Sequence, residues 1–302
     1  MRIAVTGGCG FIGSHVVDHL VRADHQVLVI DRHRQWAGDA ADYLIADIFD
    51  AEVLASALRG RDVVFHLAGA ADVNAVTADP VEAVRLNVEG TARVLDAARL
   101  HGCGRVVLAS TIWVYGATAD GGERTEDALV DLSRAGHLYV STKLAAEMLA
   151  HSYLAMYGLE FTILRYGIPY GPRMRDALVI ASFVRAARAN QPIVVAGSGD
   201  QQRNFVYVED LARAHVLALT PAAANQTLAL EGDTPVSVSE IAETVQHLVR
   251  AVPIRHVDGR AADYSGVAIS NQLAKEVLSW SPVTPLAEGI RRYLAWLSGA
   301  GS

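Results

Sequence analysis

Thr6-Gly7-Gly8-Cys9-Gly10-Phe11-Ile12-Gly13 decides the fold. The octapeptide follows a short apolar run, residues 3–6, and opens a helical pattern over 11–23. It satisfies Gly8-x-Gly10-x-x-Gly13 and also Gly7-x-x-Gly10-x-x-Gly13. Glycines at these spacings permit a tight turn, a close approach of backbone to a pyrophosphate, and tight helix–strand packing. The helix N-terminus behind them offers N–H donors and a positive dipole to phosphate. Between a strand and a helix, the pattern reads as a dinucleotide site.

The rest of the chain repeats the alternation. Strands are expected at 3–6, 26–31, 62–67, 106–110 and 161–165, with a short third strand before Asp47. Their apolar runs are continuous, as in parallel strands covered on both faces. Helices are expected at 11–23, 51–58, 81–101 and 138–157. The fold class that follows is α/β, a Rossmann-type doubly wound parallel sheet. Beyond residue 166, Pro169, Gly171 and Pro172 break the chain. Helices near 177–189, 208–219, 239–250, 271–278 and 286–297, with strands near 193–196 and 227–230, then suggest a smaller C-terminal substrate-binding lobe. The expected division is residues 1–166 for the cofactor domain and 167–302 mostly for the lobe, with a segment near 204–220 returning to the first domain.

Composition limits the alternatives. The chain of 302 residues is 51% hydrophobic and 20% charged, enough apolar material for a sizeable core. A net charge of −7 opposes a nucleic-acid or anionic-membrane partner. Cys9 and Cys103 form no CxxC pair, and the 11 His show no ligand spacing, so no metal is expected. No basic segment and apolar stretch precede the first strand, so a cytoplasmic location is expected. Of the 26 basic residues only Lys143 and Lys275 are lysines. A compact ammonium is not interchangeable with a guanidinium at a site that needs one. Lys275 shows no partner in the sequence and reads as a surface residue.

Strand two ends at Asp31, eighteen residues past Gly13. A carboxylate there accepts both ribose hydroxyls of NAD and repels a 2′-phosphate, although Arg32 and Arg34 nearby would suit NADP; NAD is favoured. Asp47-Ile48 is placed at the adenine edge, and Leu67-Ala68-Gly69 ends strand four with small residues that let backbone lie against a cofactor. Strand five ends in Ser110-Thr111, at the sheet edge where ligands of open α/β folds bind. Tyr139 and Lys143, at i and i+4, share a helix face. Lowering a tyrosine pKa from about 10 to about 7 requires about 4 kcal/mol. One positive charge at about 4 Å supplies about that much at an effective dielectric of 20. His137 reads as a partly exposed loop residue.

These residues resemble the extended short-chain dehydrogenase/reductases, and within them the NAD-dependent epimerase/dehydratase group acting on nucleotide sugars. The resemblance rests on the glycine loop, Ser110-Thr111 with Val114-Tyr115-Gly116, and Tyr139-x-x-x-Lys143. It extends through Asn87-Val88-x-Gly90-Thr91, Leu164-Arg165-Tyr166, Tyr170-Gly171-Pro172-Arg173 and Gly197-x-Gly199-x-Gln201-x-Arg203 to Arg260-Ala261-Ala262-Asp263 and Ser279-Trp280-Ser281-Pro282. It implies that Thr111 bonds the sugar, Tyr139 is the acid/base, and Lys143 holds the nicotinamide ribose. It implies that Gly7, Gly10, Phe11, Ile12, Gly13, Asn87, Ser110 and Tyr166 surround NAD, and that Arg203 and Arg260 grip the nucleotide diphosphate. It also implies a homodimer through the helices near 81–101 and 138–157.

The chain departs from the family at specific points. The acidic pair of the 4,6-dehydratases is Ile112 and Trp113, which opposes dehydration. The substrate asparagine is Ile168, and a common basic position is Ala71. The resulting expectation is epimerisation of a UDP-sugar at C4 through a 4-keto intermediate. A 4-ketoreductase, a UDP-sugar decarboxylase or dehydratase, and a non-catalytic dinucleotide sensor are the alternatives.

Overall fold

Strand β1 (Arg2–Thr6) is an inner strand of a seven-stranded sheet whose every pairing is parallel. The computed structural model describes residues 1–36, 38, 40–116, 122–130, 136–258 and 268–299. On one side of β1 run β2 (Gln26–Asp31) and β3 (Asp42–Ile45); on the other run β4 (Val63–His66), β5 (Arg105–Thr111) and β6 (Glu160–Tyr166). Alternate residues explain the continuous apolar runs. Ile3, Val5, Val63 and Phe65 enter a core beneath helix α1 (Phe11–Arg22). Ala4 and Val64 enter the opposite core, beneath α2 (Ala51–Leu58).

Three local findings differ from the sequence reading. A short helix α3 (Val73–Ala78), capped by the Asp72 carboxylate, follows β4. The expected helix 81–101 is broken into α4 (Pro80–Val84), a π-helical turn over Arg85–Glu89, and α5 (Gly90–Leu100). The extra residue of a π turn cannot be read from a 3.6-residue period. Third, His137 caps α6 (Leu138–Tyr157): its Nδ1 accepts the Tyr139 N–H at 3.0 Å.

After β6 the chain weaves. β7 (Ile168–Tyr170), α7 (Val179–Arg188), β8 (Ile193–Ala196) and β9 (Gln202–Tyr207) build a second core around Tyr170, Phe183 and Ile193. Helix α8 (Val208–Leu217) returns to pack on α1, and β10 (Gln226–Leu230) pairs with β6 as the last strand of the main sheet. The lobe resumes with β11 (Pro235–Ser237), which joins β9, with α9 (Val238–Leu248), and with β12 (Ile254–Val257), which joins β8. Helix α10 (Gln272–Leu278) then rejoins the sheet-side core, and α11 (Leu286–Leu297) the lobe. Residues 226–230 and 272–278 therefore pack with the sheet, not with the lobe to which position in the sequence assigned them.

A buried ion pair knits β6 to α6. Arg165 Nη2 lies 2.7 Å and Nε 3.0 Å from the Glu147 carboxylate, and Arg165 Nη1 donates to Tyr115 Oη at 2.8 Å. Removing one partner strands the other charge in a low dielectric. Arg165→Met is expected to cost about 3–5 kcal/mol of unfolding free energy, with the additional Glu147→Gln change restoring part of it. Denaturant melts of the single and double variants check this.

Three buried histidines set the acid limit. Burial lowers the pKa of His15 and His215 to about 4 and that of His66 to about 3. The unfolded chain takes up their protons as pH falls below about 6.5, so folding weakens in that direction. Burial of Glu231 raises its pKa and opposes this. Each proton taken up on unfolding corresponds to about 1.4 kcal/mol per pH unit, and the histidines outnumber the carboxyl, so stability falls between about pH 6 and 5. Urea midpoints are expected to fall over that interval; a constant midpoint would refute the assignment.

Candidate active site

The glycine loop closes by contact. Gly7 has φ +73°, and a Cβ there would stand 2.5 Å from the Ala68 nitrogen at the end of β4. A Cβ on Gly13 would stand 2.1 Å from the Gly7 carbonyl oxygen. Bare backbone is therefore needed to seat α1 on the loop. Gly10 begins α1 with no side-chain cap, so the first-turn N–H groups remain available to an anion. Phe11 turns its ring toward the lobe core and His15, and Ile12 packs on the sheet core, so both would meet a cofactor through backbone.

A cavity of about 190 Å³ adjoins this loop. Gly7, Gly10, Asp31, Arg32, Asp47, Ile48 and Leu67-Ala68-Gly69 all line it. The Asp31 carboxylate accepts the N–H groups of Cys9, at 3.0 Å, and His33, at 3.3 Å, which fixes its direction at the end of β2. Asp47 accepts from the Phe49 N–H at 3.1 Å. A carboxylate for ribose, small residues against the loop and an uncapped helix start together fit a dinucleotide.

The second constellation lies at the ends of β5 and β6. Thr111 Oγ1 accepts the Trp113 N–H at 3.2 Å, closing a single 3-10 turn over Ile112–Tyr115, and its hydroxyl lies near the Tyr139 phenol. Trp113 meets the Tyr139 ring edge to face, with centroids 6.2 Å apart. One turn along α6, Lys143 Nζ donates to the Ala109 carbonyl at 3.0 Å. Asn87, presented by the π turn, donates to Ala70 O and Thr142 Oγ1, each at 2.9 Å, and accepts the Ala70 N–H at 2.7 Å. A Cβ on Gly69 would lie 2.8 Å from Asn87 Oδ1, so this glycine lets the Asn87 side chain reach the backbone, and it would touch Lys143 Nζ at 3.5 Å. Tyr166, in register with Thr111, bonds His215 Nε2 at 2.6 Å.

The electrostatics differ from the simple sequence estimate. Burial pushes the Tyr139 pKa up to about 12, opposed by the Thr111 hydroxyl and by the charge of Arg175. Burial lowers the Lys143 pKa to about 8, opposed by Glu147. The cation that acts on Tyr139 in the structure is Arg175 rather than Lys143, which spacing along α6 does not reveal. Glu147 was also missed, although its position four residues beyond Lys143 was a usable signal. Ser110 donates its hydroxyl to Glu147, so it supports α6 from β5.

Ile168 and Arg203 line a separate cavity of about 740 Å³, which Ile112 connects to the end of β5. Lys275 lines it too and donates to Asp233 at 2.9 Å, so it is not the unpartnered surface lysine expected. Arg260 lies outside the described residues. No cluster among the described residues has the ligands of a metal site.

Comparison with known proteins agrees with this geometry. A UDP-glucose 4-epimerase of Mycolicibacterium smegmatis is 32% identical, over 97% of this chain and 97% of the relative. A UDP-N-acetyl-alpha-D-glucosaminuronate decarboxylase of Bacillus cytotoxicus is 31% identical, over 98% and 97%. The crystal structure of a UDP-glucose 4-epimerase from Thermotoga maritima with UDP-glucose superposes with a TM-score of 0.92 at 27% identity, covering all of both chains. The profile of the NAD dependent epimerase/dehydratase family matches residues 3–229. With its parallel sheet, glycine loop and Thr-Tyr-Lys cluster, the chain belongs to the NAD dependent epimerase/dehydratase family.

Proposed function

We propose that the protein interconverts UDP-sugars at C4, with NAD as resident cofactor. The observation that carries this reading is the meeting of Thr111, Tyr139 and Lys143 beside the glycine loop, at the carboxyl edge of the sheet. Bound NAD supplies a two-electron acceptor and donor. Thr111 holds the C4 hydroxyl, and Tyr139 removes its proton as C4 becomes a ketone. Tyr139 then returns the proton after the sugar has turned about its diphosphate. Lys143 holds the nicotinamide ribose, with Asn87 and Gly69 shaping that wall. Arg203 and Arg260 bind the diphosphate.

Burial alone keeps Tyr139 a phenol, so its service as a base needs positive charge close by; Arg175 contributes, and Lys143 is one helical turn away. Ile112 and Trp113 provide no carboxylate for dehydration. The decarboxylase relative makes decarboxylation the second reading.

Assembly as a homodimer through α5 and α6 belongs to the same reading. It is supported by Leu100, Met148 and Met156, each at least 60% exposed. So does a cytoplasmic location, in keeping with two buried, unpaired cysteines. No helix among the described residues is long and apolar enough to cross a membrane.

Incubation with UDP-glucose, UDP-galactose and UDP-glucuronic acid, followed by NMR, is expected to show inversion at C4 without net NADH change. Release of carbon dioxide would indicate the decarboxylase, stoichiometric NADH loss a reductase, and bound NAD without turnover a sensor. Tyr139→Phe is expected to lower kcat about 10²–10⁴-fold while NAD stays bound. Lys143→Arg is expected to lose most activity, because a planar guanidinium does not replace the compact ammonium in this enclosed place; wild-type rates in that variant would remove Lys143 from the mechanism.

A further inference from the structure

Glu231 immediately follows β10, at the carboxyl edge of the main sheet. It is 3% exposed, it lines the 740 Å³ cavity, and its Oε2 has no hydrogen-bond partner among the described residues. Its backbone is fixed: the Glu231 carbonyl accepts from Asn271 Nδ2 at 2.8 Å. The neighbouring Asp233 is satisfied by Asn271 and Lys275, so of these two carboxylates only Glu231 is unpaired. Gly167 makes room for it, because a Cβ there would lie 2.5 Å from Oε2.

Buried polar atoms are almost always paired, and one left unpaired beside a cavity calls for a partner from that cavity. Leu230, Tyr166 and Thr111 are in register across three neighbouring strands. Glu231 therefore stands two strand spacings, about 10 Å, from the Thr111 position. A hexose whose C4 hydroxyl meets Thr111 spans toward it. Ile168, beside Gly167, lines the same cavity at the position where the family pattern has a polar asparagine.

We propose that the Glu231 carboxyl hydrogen-bonds a hydroxyl of the substrate's sugar and supplies the polar specificity contact that Ile168 lacks. The inference rests on the UDP-sugar reading above. Burial favours the protonated carboxyl, which both donates and accepts and so matches an uncharged hydroxyl.

The test is calorimetric titration of NAD-loaded wild type, Glu231→Leu and Glu231→Gln with UDP-glucose and with UDP, alongside thermal melts. Glu231→Leu is expected to bind UDP-glucose about tenfold or more weakly, UDP within about threefold of wild type, and to melt higher because an unpaired buried polar group is gone. Glu231→Gln, which keeps a donor and an acceptor, is expected to bind UDP-glucose within about threefold of wild type. Unchanged UDP-glucose affinity in Glu231→Leu, or Glu231→Gln as weak as Glu231→Leu, would overturn the proposal. So would a lower melting point with equal losses for UDP and UDP-glucose, which is the mark of a purely structural residue. Wild-type protein that binds neither ligand removes the underlying UDP-sugar reading, whereas tight wild-type binding with an indifferent Glu231→Leu removes this inference alone.

Discussion

Lys143 places an ammonium inside the protein, and the surrounding structure is arranged to keep it there. An isolated buried ammonium would give up its proton. Here the Ala109 carbonyl accepts from it, and Glu147, one turn further along α6, opposes the loss. Glu147 in turn needs its own compensation, which Arg165 and Ser110 provide. Tyr115 then takes an Arg165 N–H. Charge thus alternates along one face of α6 and into two strands. The register of α6 on β5 and β6 and the protonation of Lys143 are set by the same contacts.

Much of this was legible in the chain, and for local reasons. The glycine loop, Asp31 and the Tyr139–Lys143 pair are each defined within one strand–turn–helix unit, where spacing fixes geometry. Asn87 was legible only through resemblance, because the π turn that presents it breaks the period used to read helices. Arg165 and Glu231 were harder. Arg165 owes its importance to Glu147 on α6 and Glu231 to a missing partner, and sequence spacing carries no record of either. The place of β10 was obscured for the same reason: its apolar run fits either sheet, and only pairing with β6 decides it.

The contrast between the two lysines shows what composition conveys. Scarcity pointed correctly to Lys143 as a residue in a demanding place. It gave no guide to Lys275, whose partner Asp233 is 42 residues away and whose cavity is formed by the lobe and the sheet edge together.

The weaving of the chain between sheet and lobe has a mechanical consequence. α8 and β10 belong to the sheet side, but the strands before and after them, β9 and β11, pair with each other in the lobe. α10 and α11 repeat the alternation. The cleft is therefore sewn with several stitches rather than hung on one hinge. A wide swing would have to stretch all of those links at once, so access to the cleft is left to side chains and short loops at its rim, and heat should melt both halves in a single step.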